Sequence, residues 1–238
     1  MPPSRIYFNS VRNGREEVFR MNVDGTGQQC LVPVPKQKHD RVSHANPFGY
    51  NYAHVTSVSP DGARIVYTVS TRNGARKDLY LMNADGGQQR FVTEGENATF
   101  SADGRILEYI LGGQAFSINI DGSGKQPSVI DPRKLADIGA TSPDGKTRVR
   151  VIALQQGYFG IYLLDRQDRP DRLISREHSM IMHVSFSPDG KKLAYDLLPD
   201  EDEGDIYTIN LNGSDRKLLT QSHHNWCPVW GLIPGQKR

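Results

Sequence analysis

Apolar and polar residues alternate with a period of two in short runs along nearly the whole chain, and clusters of turn residues separate the runs. The stretch 180–220, MIMHVSFSPDGKKLAYDLLPDEDEGDIYTINLNGSDRKLLT, displays the pattern most fully. An alternating run over 180–186 meets Ser187-Pro188-Asp189-Gly190, where Pro presets φ and Asp and Gly accept turn geometry. Further runs cover 191–198 and 205–211, then Asn212-Gly213 turns the chain into a short run over 217–220. The spacing predicts four antiparallel strands, A to D.

The unit recurs. Its A–B turn appears as Ser59-Pro60-Asp61-Gly62, Ser101-Ala102-Asp103-Gly104, Ser142-Pro143-Asp144-Gly145 and Ser187-Pro188-Asp189-Gly190, at spacings of 42, 41 and 45 residues. Its C–D turn appears as Asp24-Gly25, Asp85-Gly86, Asp121-Gly122 and Asn212-Gly213, with Arg166-Gln167-Asp168 in the fourth unit. A repeat of this length with four strands per copy predicts a β-propeller. Strands B, C and D open the chain, and the segment around Asn225–Gly231 reads as the missing strand A. The expectation is an all-β, five-bladed propeller of four-stranded antiparallel blades. Blade 1 is 4–33 plus 225–232, blade 2 is 52–93, blade 3 is 97–130, blade 4 is 137–175 and blade 5 is 180–220, all in one domain. The C-terminal strand closes the first blade and removes a free sheet edge.

A net charge of +2, with both signs interspersed, leaves no electrostatic footprint for nucleic acid or an anionic membrane. No apolar run is long enough to span a bilayer. The sequence as written carries no secretion signal, which predicts a soluble cytoplasmic monomer, or a periplasmic or secreted one if a leader was removed. Cys30 falls on the outermost strand of blade 1 and Cys227 on the innermost. Three strand spacings of about 4.8 Å put them roughly 14 Å apart, beyond disulfide reach. Both are expected to be free thiols acting as small buried side chains.

The repeat has a family resemblance. Ser-Pro-Asp-Gly, then Lys-Lys-Leu-Ala-Tyr, Asp-Ile-Tyr-Thr-Ile-Asn, Asn-Gly and Arg-Lys-Leu-Leu-Thr of blade 5 resemble the repeat of TolB-type propellers. Blade 2 is a second close copy, through Ile65-Val66-Tyr67 and Asp78-Leu79-Tyr80-Leu81-Met82-Asn83. TolB itself resembles a six-bladed propeller with an extra N-terminal domain. The resemblance implies fold; blades of this type serve envelope scaffolds, peptidase caps and polysaccharide lyases alike.

In a propeller, the B–C loops and D-to-A connections share one face around the channel mouth. All seven histidines (His39, His44, His54, His178, His183, His223 and His224) lie in those connections or at the start of strand A. Counting back five residues from the turn serine gives His54, Glu96, Asp137 and Met182, with Trp226 at the matching place in blade 1. Clustered imidazoles with carboxylates suit Mn, Zn, Fe or Ni, and equally acid–base chemistry near neutral pH. The candidate catalytic set is therefore His54, His178, Glu96 and Asp137, and the candidate metal ligands are His178, His223 and His224. Gln221-Ser222-His223-His224 is similar to the Gln/His metal-ligand segment of oligogalacturonate lyases, with Asn225 where that pattern has its second histidine. The long connection 33–51 holds Phe48 and Tyr50; with Tyr52, Tyr158 and Trp226 these supply aromatic walls for a saccharide or other cyclic ligand. The acidic run Asp200-Glu201-Asp202-Glu203 reads as a solvated hairpin tip. There is no HExxH, CxxC, Gly-rich phosphate loop or nucleophile elbow. Two functional classes follow. One is a small-molecule or saccharide site at the mouth, either binding only or working as a metal-dependent lyase or hydrolase. The other is a non-catalytic scaffold that docks a peptide or protein there.

Overall fold

The computed structural model describes residues 3–12, 15–32, 52–70, 76–132, 135, 138–200, 203–221 and 224–235. The strands are β1 (Ser4–Arg12), β2 (Arg15–Asn22) and β3 (Gln29–Val32); β4 (Tyr52–Val58), β5 (Arg64–Ser70), β6 (Lys77–Asn83) and β7 (Arg90–Glu94). Next come β8 (Glu96–Phe100), β9 (Ile106–Leu111), β10 (Gln114–Asn119) and β11 (Gln126–Pro127). Then follow β12 (Gly139–Thr141), β13 (Arg148–Ala153), β14 (Phe159–Leu164) and β15 (Pro170–Glu177). The last are β16 (Val184–Phe186), β17 (Lys192–Asp200), β18 (Glu203–Asn210), β19 (Lys217–Leu218) and β20 (Asn225–Leu232). They form five four-stranded sheets, ordered β4-β5-β6-β7, β11-β10-β9-β8, β12-β13-β14-β15, β16-β17-β18-β19 and β20-β1-β2-β3. The fold is an all-β, five-bladed propeller, and the C-terminal strand β20 completes the first blade beside β1. Cys30 and Cys227 lie on its outermost and innermost strands, and both are free thiols.

The A–B turns are built by one hydrogen-bond relay. In all four Ser-x-Asp-Gly copies the serine Oγ donates to the aspartate Oδ1 two residues on, at 2.6–2.7 Å. The same Oγ accepts the N–H five residues on, at 2.9–3.0 Å. The motif thus satisfies the backbone donor that opens strand B. The C–D turns use a second relay, as where Asp24 accepts both the N–H and the hydroxyl of Thr26. Asn212 does the same for Ser214. Gly25 occupies the left-handed region, φ +88, and a Cβ there would meet the Leu219 carbonyl oxygen at 2.4 Å. In blade 4, Asp165 replaces the Asp-Gly device by accepting the N–H groups of Gln167 and Arg169.

Alternation then places the core. Tyr67, Tyr109 and Tyr195 each lie eight residues past their turn serine on strand B; all are fully buried, as is Tyr7 on β1. By contact the chain divides into two compact units: Met1–Phe8, Arg20–Gln29 and Asp137–Arg238 in the first, Asn9–Phe19 and Cys30–Ala136 in the second. The first unit packs Val149, Ile161, Ile181, Leu193, Tyr195 and Ile209. Its Tyr195 hydroxyl donates to Glu177 at 3.0 Å and accepts from Arg216 Nε at 2.9 Å. Burial pushes that phenol up. The second unit packs Val66, Leu79, Leu81, Leu107, Tyr109 and Ile118. There Asn9 is buried, donates to the Ala53 carbonyl at 2.6 Å and accepts from the Val55 N–H at 3.0 Å.

Strand A of blade 5 departs from the expected run. The periodicity predicts 180–186, but β16 spans only Val184–Phe186, preceded by a single bridge from Met180 to Leu198. The N–H groups of Met182 and His183 leave the ladder and donate to the Asp196 side chain instead.

Ser187 is fully buried, so Ser187→Ala strands the Lys192 N–H and should lower stability by about 1–3 kcal/mol. A urea-unfolding midpoint unchanged from the native protein would show that the relay is decorative.

Candidate functional site

The chemistry that the first unit brings together centres on Asp196, on β17. Blades 2, 3 and 4 place Thr68, Ile110 and Val151 nine residues past the turn serine; blade 5 places an aspartate there, and it is wholly buried. An unpaired buried carboxylate is strongly disfavoured, so its partners decide the local structure. Oδ1 accepts the N–H groups of Met182 and His183, both at 2.9 Å. Oδ2 accepts the Cys227 N–H at 3.0 Å and lies 2.6 Å from His183 Nδ1. The carboxylate therefore joins strand A of blade 5 to strand A of blade 1.

His183 is half-exposed, its side chain 30% accessible, while Asp196 is at 0%. A ring nitrogen of His183 and the Cys227 sulfur lie within 4.8 Å, and the two side chains interact directly. Burial works against a charge on His183, but Cys227 and Asp196 outweigh it and raise its pKa well above the ordinary value. Burial likewise works against the Asp196 charge; His183 and the backbone donors overcome it and hold the carboxyl below its usual range. Cys227 itself has φ +53 and precedes Pro228. Pre-proline residues are ordinarily extended, so this is a strained backbone held by the bond to Asp196.

Just after β19, Thr220 is tied back to β18. Thr220 Oγ1 accepts the Ile206 N–H at 2.9 Å and donates to Asp205 at 2.7 Å. On blade 4 an aromatic stack forms at the β14–β15 end. The Arg176 guanidinium lies 4.0 Å from the Tyr158 ring centre, and the His178 ring meets Tyr158 edge-on at 4.8 Å.

The residues singled out from the sequence fall in several places. His178 and Tyr158 are together, as described. His224 is exposed just before β20, and Trp226 is half-buried on that strand. Among the described residues, neither His178 nor His224 joins a group of three His, Cys, Asp or Glu side chains with converging ligand atoms. In the second unit, His54 is half-buried on β4 opposite Thr68, and Tyr52 opens that strand. Glu96 opens β8 and is ion-paired with Lys77. Phe48, Tyr50, Asp137 and His223 lie outside the described residues. Sequence reasoning did not reach the Asp196–His183–Cys227 centre. Its signal was the aspartate at a register position that two other blades fill with Ile or Val; counting back five residues rather than four then lands on Met182 instead of His183.

No family model matches the sequence. Among solved structures, the chain is similar to TolB from Acinetobacter baumannii, with a TM-score of 0.54 at 16% identity over 97% of this chain and 67% of that one. It is also similar to a chain of a nidogen/laminin complex, with a TM-score of 0.52 at 9% identity over 96% and 98%. An oligogalacturonate lyase in complex with manganese aligns at a TM-score of 0.38 and 14% identity, over 89% and 61%. The likeness to TolB, together with the five four-stranded sheets, defines a TolB-type β-propeller fold. Among the described residues no helix is long and apolar enough to cross a membrane.

The centre has a pH signature. His183 is raised on folding, so its contribution to stability is full below its unfolded value of about 6.5 and is lost as pH rises through the folded value. Asp196 is depressed, so its contribution is present above about 3.9 and is lost as pH falls through its folded value. Urea unfolding should therefore show this pair stabilising most between about pH 4 and 6.5. Asp196→Ala should cost about 3–5 kcal/mol in that window and flatten the profile; an unflattened profile would assign the pH dependence to other groups.

Proposed function

We propose that this propeller binds a small polar ligand of the acidic-saccharide class beside His183. The observation that carries the reading is the investment of a wholly buried carboxylate in one half-exposed imidazole, which is thereby held in a single orientation. A protein interior rarely keeps such a charge without a use for the group it orients. Tyr158 and Arg176, in the same unit, offer the ring face and cation that a carboxylated sugar would use. If the ligand is turned over, His183 is the acid–base group, and lyase or hydrolase chemistry fits it. A divalent Mn, Zn, Fe or Ni ion at His178, His223 and His224 would polarise the substrate's oxygens. Among the described residues, neither His178 nor His224 belongs to a group of three converging ligands, and no step is assigned to a metal.

The second reading is a scaffold that docks a peptide or protein. It is supported by the fold likeness to TolB and to a chain of the nidogen/laminin complex.

Calorimetric titration with acidic oligosaccharides separates the two. Saturable binding that weakens about tenfold or more in both His183→Ala and Tyr158→Ala supports the ligand reading. Unsaturated product then identifies a lyase, and new reducing ends a hydrolase. A folded protein that takes up none of these sugars leaves the scaffold reading in possession.

A further inference from the structure

We propose that Cys227 is a nucleophilic thiol, that His183 holds its thiolate, and that Asp196 is the positioning residue for that histidine. The site would take a small, soft electrophile, of the alkyl-halide or α,β-unsaturated carbonyl class. The inference stands independently of the ligand reading above.

Three observations on one centre carry it. The Asp196 carboxylate engages Nδ1 of His183 at 2.6 Å and so fixes the orientation of the ring. A ring nitrogen of His183 lies within 4.8 Å of Cys227 Sγ, and the two side chains interact. Nucleophile, imidazole and carboxylate, the three groups that activate a thiol, thus meet at one centre. The nucleophile also sits on strained backbone, φ +53 before a proline, pinned by the same carboxylate through its own N–H at 3.0 Å. Strain of this kind concentrates where a side chain must be aimed. Asp196 from β17 and Cys227 from β20 are among the groups acting on the imidazole.

The other cysteine is an internal control. Cys30 Sγ lies 3.7 Å from a Glu17 carboxylate oxygen. Burial first, then that carboxylate, push its thiol up to about 11. Yet Cys30 is the more exposed of the two, Cys227 being only 5% accessible. Exposure alone therefore predicts that Cys30 reacts first; the environment of each sulfur predicts the reverse.

With iodoacetamide the step balances without a proton. The thiolate pair attacks the methylene carbon, the S–C bond forms as the C–I bond breaks, and iodide leaves with its electrons. His183 keeps its proton and remains paired with Asp196.

The test uses the full chain as Cys30→Ser, so that one thiol remains, and as Cys227→Ser for comparison. Thiolate ultraviolet absorbance is followed from about pH 4 to 10, across the ordinary thiol midpoint near 8.5. It reads the sulfur whether or not a reagent can reach it. The expected result is a Cys227 midpoint well below that value. Alkylation near pH 6.5 should be at least about tenfold faster than at Cys30, and slowed about tenfold or more by His183→Gln, with the midpoint moved up. Asp196→Asn should move the midpoint the same way. An ordinary or raised Cys227 midpoint overturns the proposal, and this holds even if the His183 variant fails to fold. Faster alkylation of Cys30 overturns it as well, as does a low midpoint with no alkylation. A stoichiometric metal lost with Cys227→Ser would equally overturn it.

Discussion

The burial of Asp196 is the constraint around which the first unit is arranged. Moving an ionised carboxylate into a protein interior costs several kcal/mol unless its oxygens are fully engaged. Here they are engaged by three backbone N–H groups and one imidazole, drawn from β20 and from the stretch before β16. The penalty of leaving any of these bonds unmade couples features that look separate along the chain. It shortens strand A of blade 5, holds Cys227 in a left-handed conformation, and orients His183. Because β20 is also the strand that completes the first blade, closure and site geometry share one interaction.

The rest of the molecule is conservative by contrast. Each A–B turn repeats the serine–aspartate relay, so the entry to strand B is the same in four blades whatever the neighbouring strands do. A buried tyrosine follows at a fixed distance in three of them. This uniformity leaves the opposite end of each strand B free to vary. Asp196 appears at that end in blade 5, as Asn9 does on β1 in the second unit, where it ties the Ala53 and Val55 backbone. Both are polar side chains on strand B that satisfy backbone groups of a following strand A. One is neutral and structural; the other carries a charge and an imidazole with it.

The two cysteines differ in surroundings as well as in exposure. Cys30 is the more accessible, yet a carboxylate beside it opposes ionisation. Cys227 is buried, but its neighbour is a histidine whose proton is held by Asp196. Sulfur reactivity follows the stability of the thiolate, and that is a property of surroundings.

The blade count, the closure by the last strand, the turns and the outer and inner places of the two cysteines were all legible in the sequence. They rest on local rules: period-two alternation and residues that accept turn geometry. Tyr158 and His178, both singled out in the sequence as loop residues, meet edge-on. The centre itself was not legible. Asp196, His183 and Cys227 are separated by 13 and 31 residues in their contacts with the carboxylate, and β20 meets β17 only because the chain's last strand returns to its first blade. The alternation at 180–186 even pointed to an unbroken strand, because a pattern of apolar residues cannot register a side chain that competes for the backbone. The sequence by itself determined the blades, through short-range periodicity. The tertiary structure decided which polar groups share a buried space, because only packing sets the cost of leaving a charge unpaired.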